Sequence, residues 1–178
     1  GRYSTAIGKA SQATGACSTA SGYKSCATGD HSSVFGWKSC ASADASAFGK
    51  STFATGQYST ALGYYSDATG VASVAVGQET TASATYASAV GNDSCATGTS
   101  SSAFGRRSCA VGINDLAVGF CAITVPFAGA TNQCPEANIS IGFCTIASNG
   151  FRCDQATDCY LSSIAIGSCA CSTVCGGL

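Results

Sequence analysis

Glycine recurs at every seventh residue, and this spacing constrains the chain more than any other feature. It falls at 8, 15, 22, 29 and 36, then at 49, 56, 63, 70 and 77, then at 91, 98, 105, 112 and 119. Ala84 takes the place once, and in "CASADASAFG" either Ala43 takes it or one residue is missing. The residue before Gly alternates in kind. Ile7, Phe35, Phe48, Leu62, Val76, Val90, Phe104 and Val118 hold it in one set of units, and Thr14, Thr28, Thr55, Thr69 and Thr97 in the other. The true repeat is therefore fourteen residues, made of two unlike halves. Such a unit cannot bury a face alone, so stacked neighbours must bury it together. A heptad also suits a coiled coil, but Gly inside a helix costs about 1 kcal/mol relative to Ala. Each half reads instead as a short strand closed by a Gly turn, which predicts an all-β solenoid with two parallel strands per coil.

Strand alternation assigns the columns to faces. Two places before Gly stands Ala (Ala6, Ala13, Ala20, Ala27, Ala41, Ala54, Ala61, Ala68, Ala75), and four places before it usually Ser. These columns point inward, so the core is thin. The columns one and three places before Gly point outward. In the first half they display an apolar stripe that water does not tolerate along a whole rod, so several rods are expected to pack along it. The second half offers Thr beside Gln12, Cys26, Phe53, Asp67 or Thr81. Regular Thr on a solenoid raises an alternative reading, an ice-binding β-solenoid, against which the irregular companion column argues.

"YSTAIGKASQATG", "YSTALGYYSDATG" and "SVAVGQ" resemble the head repeats of trimeric autotransporter adhesins, the YadA-like left-handed parallel β-roll. The resemblance covers roughly residues 1 to 119 and includes the fourteen-residue alternation. It implies a homotrimer packed about an axis, with Ile7, Phe35, Phe48, Leu62, Val76, Val90, Phe104 and Val118 as the trimer interface. Fold and trimer follow from the resemblance, host and ligand do not; the chain itself reads as a structural or adhesive fibre segment, the stalk or head of a surface attachment device on a cell or on a virion or phage fibre. The expected setting is extracellular or surface-exposed, with a host-surface glycan or matrix protein as partner and self-association into a trimer or longer fibre.

The chain divides into regular repeats over 1–119 and continuing coils with Cys-rich loop insertions over 120–178. "AVGFCAIT", "SIGFCTIA" and "AIGSCACS" are related segments of the second part, with "VPFAGATNQCPEAN" and "SNGFRCDQATDCYLS" as insertions at one turn. Thirteen Cys in 178 residues point to an oxidising compartment and to disulfides. Cys26 and Cys40 are fourteen apart, as are Cys95 and Cys109, which puts each pair on adjacent coils as candidate rung-to-rung staples. Cys121, Cys144 and Cys169 share the place two after Gly and are expected to stack. Cys134, Cys153 and Cys159 lie in the loops, and Cys171 and Cys175 near the end. The single His and the lack of paired zinc-type knuckles argue against a metal site.

No catalytic constellation is visible, neither a G-x-S-x-G with partners nor a phosphate loop, so neither an enzyme nor a cofactor is expected. A net charge of −1 with 10% charged residues suggests no nucleic-acid partner and no polybasic membrane surface. No run of roughly 18 apolar residues offers a membrane span, and Gly at the start reads as a processed or excised piece, with any export signal or anchor outside it. The turns after the apolar halves carry Lys9, Tyr23, Lys24, Trp37, Lys38, Lys50, Tyr64, Tyr65, Arg106 and Arg107, six of the eight basic residues, interleaved with aromatics. This edge is a possible ligand surface through stacking and charge, or it meets the acidic edge of a neighbouring chain. Asn92 and Asn138 each open an N-x-S sequon and are candidate glycosylation sites.

Overall fold

The computed structural model describes residues 1–125, 137–149 and 162–174. Among the described residues two eleven-stranded, wholly parallel sheets run side by side, and successive strands alternate between them. The first sheet holds the apolar halves in strands of three to five residues, such as Ser33–Trp37 and Thr60–Tyr64. The second holds the polar halves, mostly in two-residue strands such as Cys26–Ala27 and Cys95–Ala96. Like residues stack in register: Ala61 on Ala75, Leu62 on Val76, Gly63 on Gly77. Neighbouring strands in a sheet lie about 4.8 Å apart, so each coil adds one rung of that height.

The core between the sheets is a double column of Ala at or near zero exposure, from Ala20 to Ala165, with Val34 its largest apolar member. Because little more than a methyl group fills most places, the two sheets lie close together. The Ser columns flank it, also buried. In the apolar halves Ser18, Ser32, Ser59 and Ser73 each donate to the carbonyl of the Gly three residues before, at 2.6 to 2.7 Å. This satisfies the buried hydroxyl and braces the preceding turn.

Two kinds of glycine make the turns. Those of the apolar halves have φ that only Gly tolerates, +132° at Gly63, and a Cβ there would strike the carbonyl of Gly77 in the next coil. Those of the polar halves do not take positive φ, and this is the column in which Ala43 and Ala84 occur. Two places after each repeat Gly of the described residues, and at Asp44 and Tyr86 where Ala43 and Ala84 replace it, the chain turns left-handed at a residue other than Gly. Lys24, His31, Lys38, Tyr65, Arg107 and Cys121 are among twenty such positions, with φ between 51° and 60°. That conformation costs about 1 to 3 kcal/mol for an ordinary residue. The stack imposes it, because the same N–H donates to the coil below, as from Lys24 to the Lys9 carbonyl at 3.0 Å and from Lys38 to that of Tyr23 at 2.8 Å.

The irregularity near Ala43 is a turn one residue short. Cys40 pairs with Cys26 fourteen residues back, whereas Ser46 pairs with Ser33 thirteen back. Ala43 stands where Gly29 and Asp30 stand one coil earlier, and the register beyond is restored. Past Gly119 the coils continue: Val118 pairs with Ile141 and Ile141 with Ile166, so the longer spacings of the last third leave both sheets intact.

Candidate functional site

Among the described residues the core is filled mostly by Ala and Ser, so the outer columns carry the larger and more varied side chains. The first is the apolar stripe. Ile7 is 61% exposed on the isolated chain, and Phe35, Leu62 and Phe104 are also exposed, while Phe48, Val76, Val90 and Val118 are half-buried. All eight stack in one column of the first sheet, with Phe35 and Phe48 face to face at 5.3 Å between ring centres. The column runs further than the sequence reading carried it: Ile141 and Ile166 continue it, Ile166 at 65% exposure. The signal was present, since both precede a Gly. Ser21 interrupts the column between Ile7 and Phe35.

The second surface is the turn edge beside that stripe. Trp37, Lys50 and Tyr64 pair in register on consecutive coils, with Tyr23 on the coil before. Tyr23 and Trp37 stack at 6.1 Å and 20°, and Tyr64 meets Tyr65 edge-on at 4.5 Å. Lys38 Nζ lies 4.3 Å from the Trp37 ring centre, and Lys50 Nζ lies 5.1 Å from Trp37 and 5.0 Å from Tyr64. Lys24 covers Tyr23 at 5.5 Å. Arg106 and Arg107 stand apart from this group, beyond Glu79 and Asp93 on the same edge. Arg107 pairs with Asp93 at 3.5 Å, and Arg106 covers Phe120.

The cysteines fall into the expected columns. Cys26 is the register partner of Cys40 and Cys95 that of Cys109, all four half-buried on the outer face of the second sheet. They stand as thiols. A hydrogen bond from Cys109 holds the Cys95 thiol down to about 7, against the opposing effects of burial and Asp93, while the same bond and burial push Cys109 up. Burial, then the neighbouring Cys26, pushes Cys40 up to about 11. Cys121, Cys144 and Cys169 stack at left-handed turns beside the Phe120–Phe143 ring pair. Burial and the flanking sulfurs raise the Cys144 thiol. Cys171 is exposed. Cys134, Cys153, Cys159 and Cys175 lie outside the described residues.

The two sequons separate. Asn92 ends a strand, half-buried. Asn138 is completely buried: its Oδ1 accepts from the Ser163 amide at 3.2 Å and the Ser163 hydroxyl at 2.9 Å. A sugar on that amide does not fit the folded roll, which corrects the expectation at Asn138. Its role is structural, and it shares that role with Asp115, a buried carboxylate that the sequence reading passed over. Both occupy the inward place four before Gly that Ser holds elsewhere, and that substitution was the available signal.

Two parallel sheets of fourteen-residue coils, an Ala core and chemistry confined to outer columns define a β-solenoid rod of the repeat-protein class. The YadA head domain repeat matches residues 1–25, 18–39, 41–66, 68–94 and 96–120, and the chain belongs to that family. No curated protein matches it.

Proposed function

We propose that this chain is an adhesive or structural segment of a surface fibre, assembled as a trimer of rolls that bury the apolar stripe against one another. The observation that carries the reading is the stripe: a column of Ile, Phe, Leu and Val on the outside of a rod whose interior is mostly Ala and Ser. Burying such side chains contributes about 1.5 to 3 kcal/mol each. Over eight coils that outweighs the ordering cost of association and makes the isolated chain the less stable form. Family membership supports both the self-association and a surface-exposed, adhesive setting. The rod then serves as a rigid spacer that presents its turn edges outward, with no reaction to catalyse. A native mass measurement tests this: three times the chain mass is expected, and a soluble, folded monomer at micromolar concentration overturns it.

A further inference from the structure

We infer that the edge formed by Tyr23, Trp37, Lys38, Lys50, Tyr64 and Tyr65 is a binding site for an acidic polysaccharide, a linear ligand of sugar rings bearing carboxylate or sulfate groups. The inference deepens the surface-fibre reading and rests on it for its biological setting, although the site is complete within one chain.

Three observations carry it. The first is order: over four consecutive coils the same turn position holds Tyr23, Trp37, Lys50 and Tyr64, so aromatic faces and a cation repeat along a line at the coil period of about 4.8 Å. Lys50 lies within 5.1 Å of the rings on both sides, which fixes a cation between two stacking platforms. The second is uncompensated charge. Among the described residues the cation–carboxylate contacts are His31 Nδ1 with Asp44 and Arg107 with Asp93, and neither includes Lys24, Lys38 or Lys50. Asp67, half-buried, opens the strand two residues past Tyr65, and the first carboxylate at the turn itself is Glu79, one coil past Tyr65, where Gln78 Nε2 donates to it at 3.3 Å. The third concerns the competing occupant, the acidic edge of a second copy. Its carboxylates are engaged within their own chain, Asp30 accepting from the Ala16 amide at 2.7 Å and Asp44 facing His31 Nδ1 at 3.2 Å. Lysines on this edge therefore gain more from an anion supplied from outside.

Tyr23, Lys38 and Lys50 cover the ring faces of Trp37 and Tyr64, so a sugar ring packs its C–H face against the exposed outer edges of this aromatic column and against Tyr65, with its acidic substituents beside the lysines. A polyphosphate uses the cations and leaves the rings idle, and the whole-chain charge of −1 gives a nucleic acid no broader basic surface.

Trp37 is the chain's one tryptophan, so its fluorescence reports on this edge alone. Short oligosaccharides of a sulfated, uronate-bearing polysaccharide are titrated into the intact protein, with the desulfated and carboxyl-reduced forms, inorganic polyphosphate and single-stranded DNA as comparisons. The expected result is a saturable change in Trp37 emission with the acidic sugar. Affinity is expected to fall by about tenfold or more for Lys38→Gln with Lys50→Gln, read by calorimetry, and for the neutral sugars. Trp37→Phe retains calorimetric binding and Trp37→Ala weakens it. The native mass of each variant is measured alongside: a change in mass with binding intact touches the assembly reading, and a loss of binding at unchanged mass locates the site here. Absence of a saturable signal, equal binding of polyphosphate or DNA, or indifference to the lysine substitutions overturns the inference.

Discussion

Asp115 and Asn138 are 23 residues apart, yet the Asp115 Oδ1 accepts the Asn138 amide at 2.8 Å, while its Oδ2 accepts the Gly112 amide at 2.7 Å. One buried carboxylate thus closes its own turn and clamps the coil that resumes after the first insertion. Asn138 passes the link on to Ser163 one coil further. Removing the carboxylate leaves two buried amides without partners, and a hydrogen bond to a charged group contributes about 1.5 to 3 kcal/mol. Asp115→Ala is expected to lower the thermal midpoint by roughly 4 to 10 °C and to expose the coils after Leu116 to hydrogen exchange first. Unchanged exchange there would show that the clamp is dispensable.

Both glycine columns press against the backbone of the next coil, but only the apolar-half column also requires a positive φ. Gly63→Ala forces a Cβ onto the Gly77 carbonyl at a φ of +132°, and a loss on the order of 3 kcal/mol or more is expected. Ala84→Gly, in the column without positive φ and at a position where Ala already stands, is expected to shift stability by about 1 kcal/mol at most. Chemical denaturation of both variants checks the asymmetry, and equal losses would contradict it.

Charge placed in the apolar stripe is expected to release the chains. Leu62→Asp with Val76→Asp puts two adjacent carboxylates in the column proposed to lie between chains. Sedimentation should report monomer or unfolded chain for this variant, while Gln12→Asp on the polar half leaves the assembly intact. A trimer that survives the double substitution would place its interface elsewhere.

The paired thiols differ in their pH response. With its value held down to about 7, Cys95 is expected to be alkylated at a rate rising half-maximally near pH 7, while Cys40 stays unreactive until about pH 11. Because the folded state lowers the Cys95 value, the stabilisation from its thiolate is full above the ordinary thiol range and lost as pH falls through about 7. Mass mapping of alkylated peptides across pH reads this, and equal rates at Cys95 and Cys40 would refute it.

Oxidised glutathione is expected to join Cys95 to Cys109 and Cys26 to Cys40. The first thiolate attacks the glutathione disulfide and releases one glutathione thiolate, and the partner thiolate then displaces the second. A loop of about 14 residues gives roughly 3 kcal/mol per bond through the unfolded chain, less any strain. Linked peptides within a chain that migrates as a monomer in denaturant are expected. Bonds between chains at these positions would assign the cysteines to cross-linking instead.

Much of this architecture could be read along the chain because it repeats. The Ala6, Ala20 and Ala27 columns, the stripe from Ile7 to Val118 and the alignment of Cys95 with Cys109 all follow from a fourteen-residue period and strand alternation. A stacked coil turns sequence spacing directly into spatial neighbourhood, so no long-range pairing had to be guessed.

Where the period changes or the local signal is silent, the stack decides. The left-handed turns at Lys24, Tyr65 and Cys121 carry no Gly or Asn to announce them, since hydrogen bonds to the coil below impose the conformation and offset its strain. Trp37 and Lys50 are thirteen apart, and only the shortened turn at Ala43 brings them into register. Asn138 reads as a surface sequon in one dimension and lies at zero exposure in three, because a coil displaced by an insertion still docks its inward column on the coil before it. The sequence by itself determined the period and the facing of each column, which depend on local geometry repeated many times. Tertiary stacking decided the turn conformations, the partners across irregular spacings and the burial of Asp115 and Asn138, because each depends on a backbone group supplied by another coil.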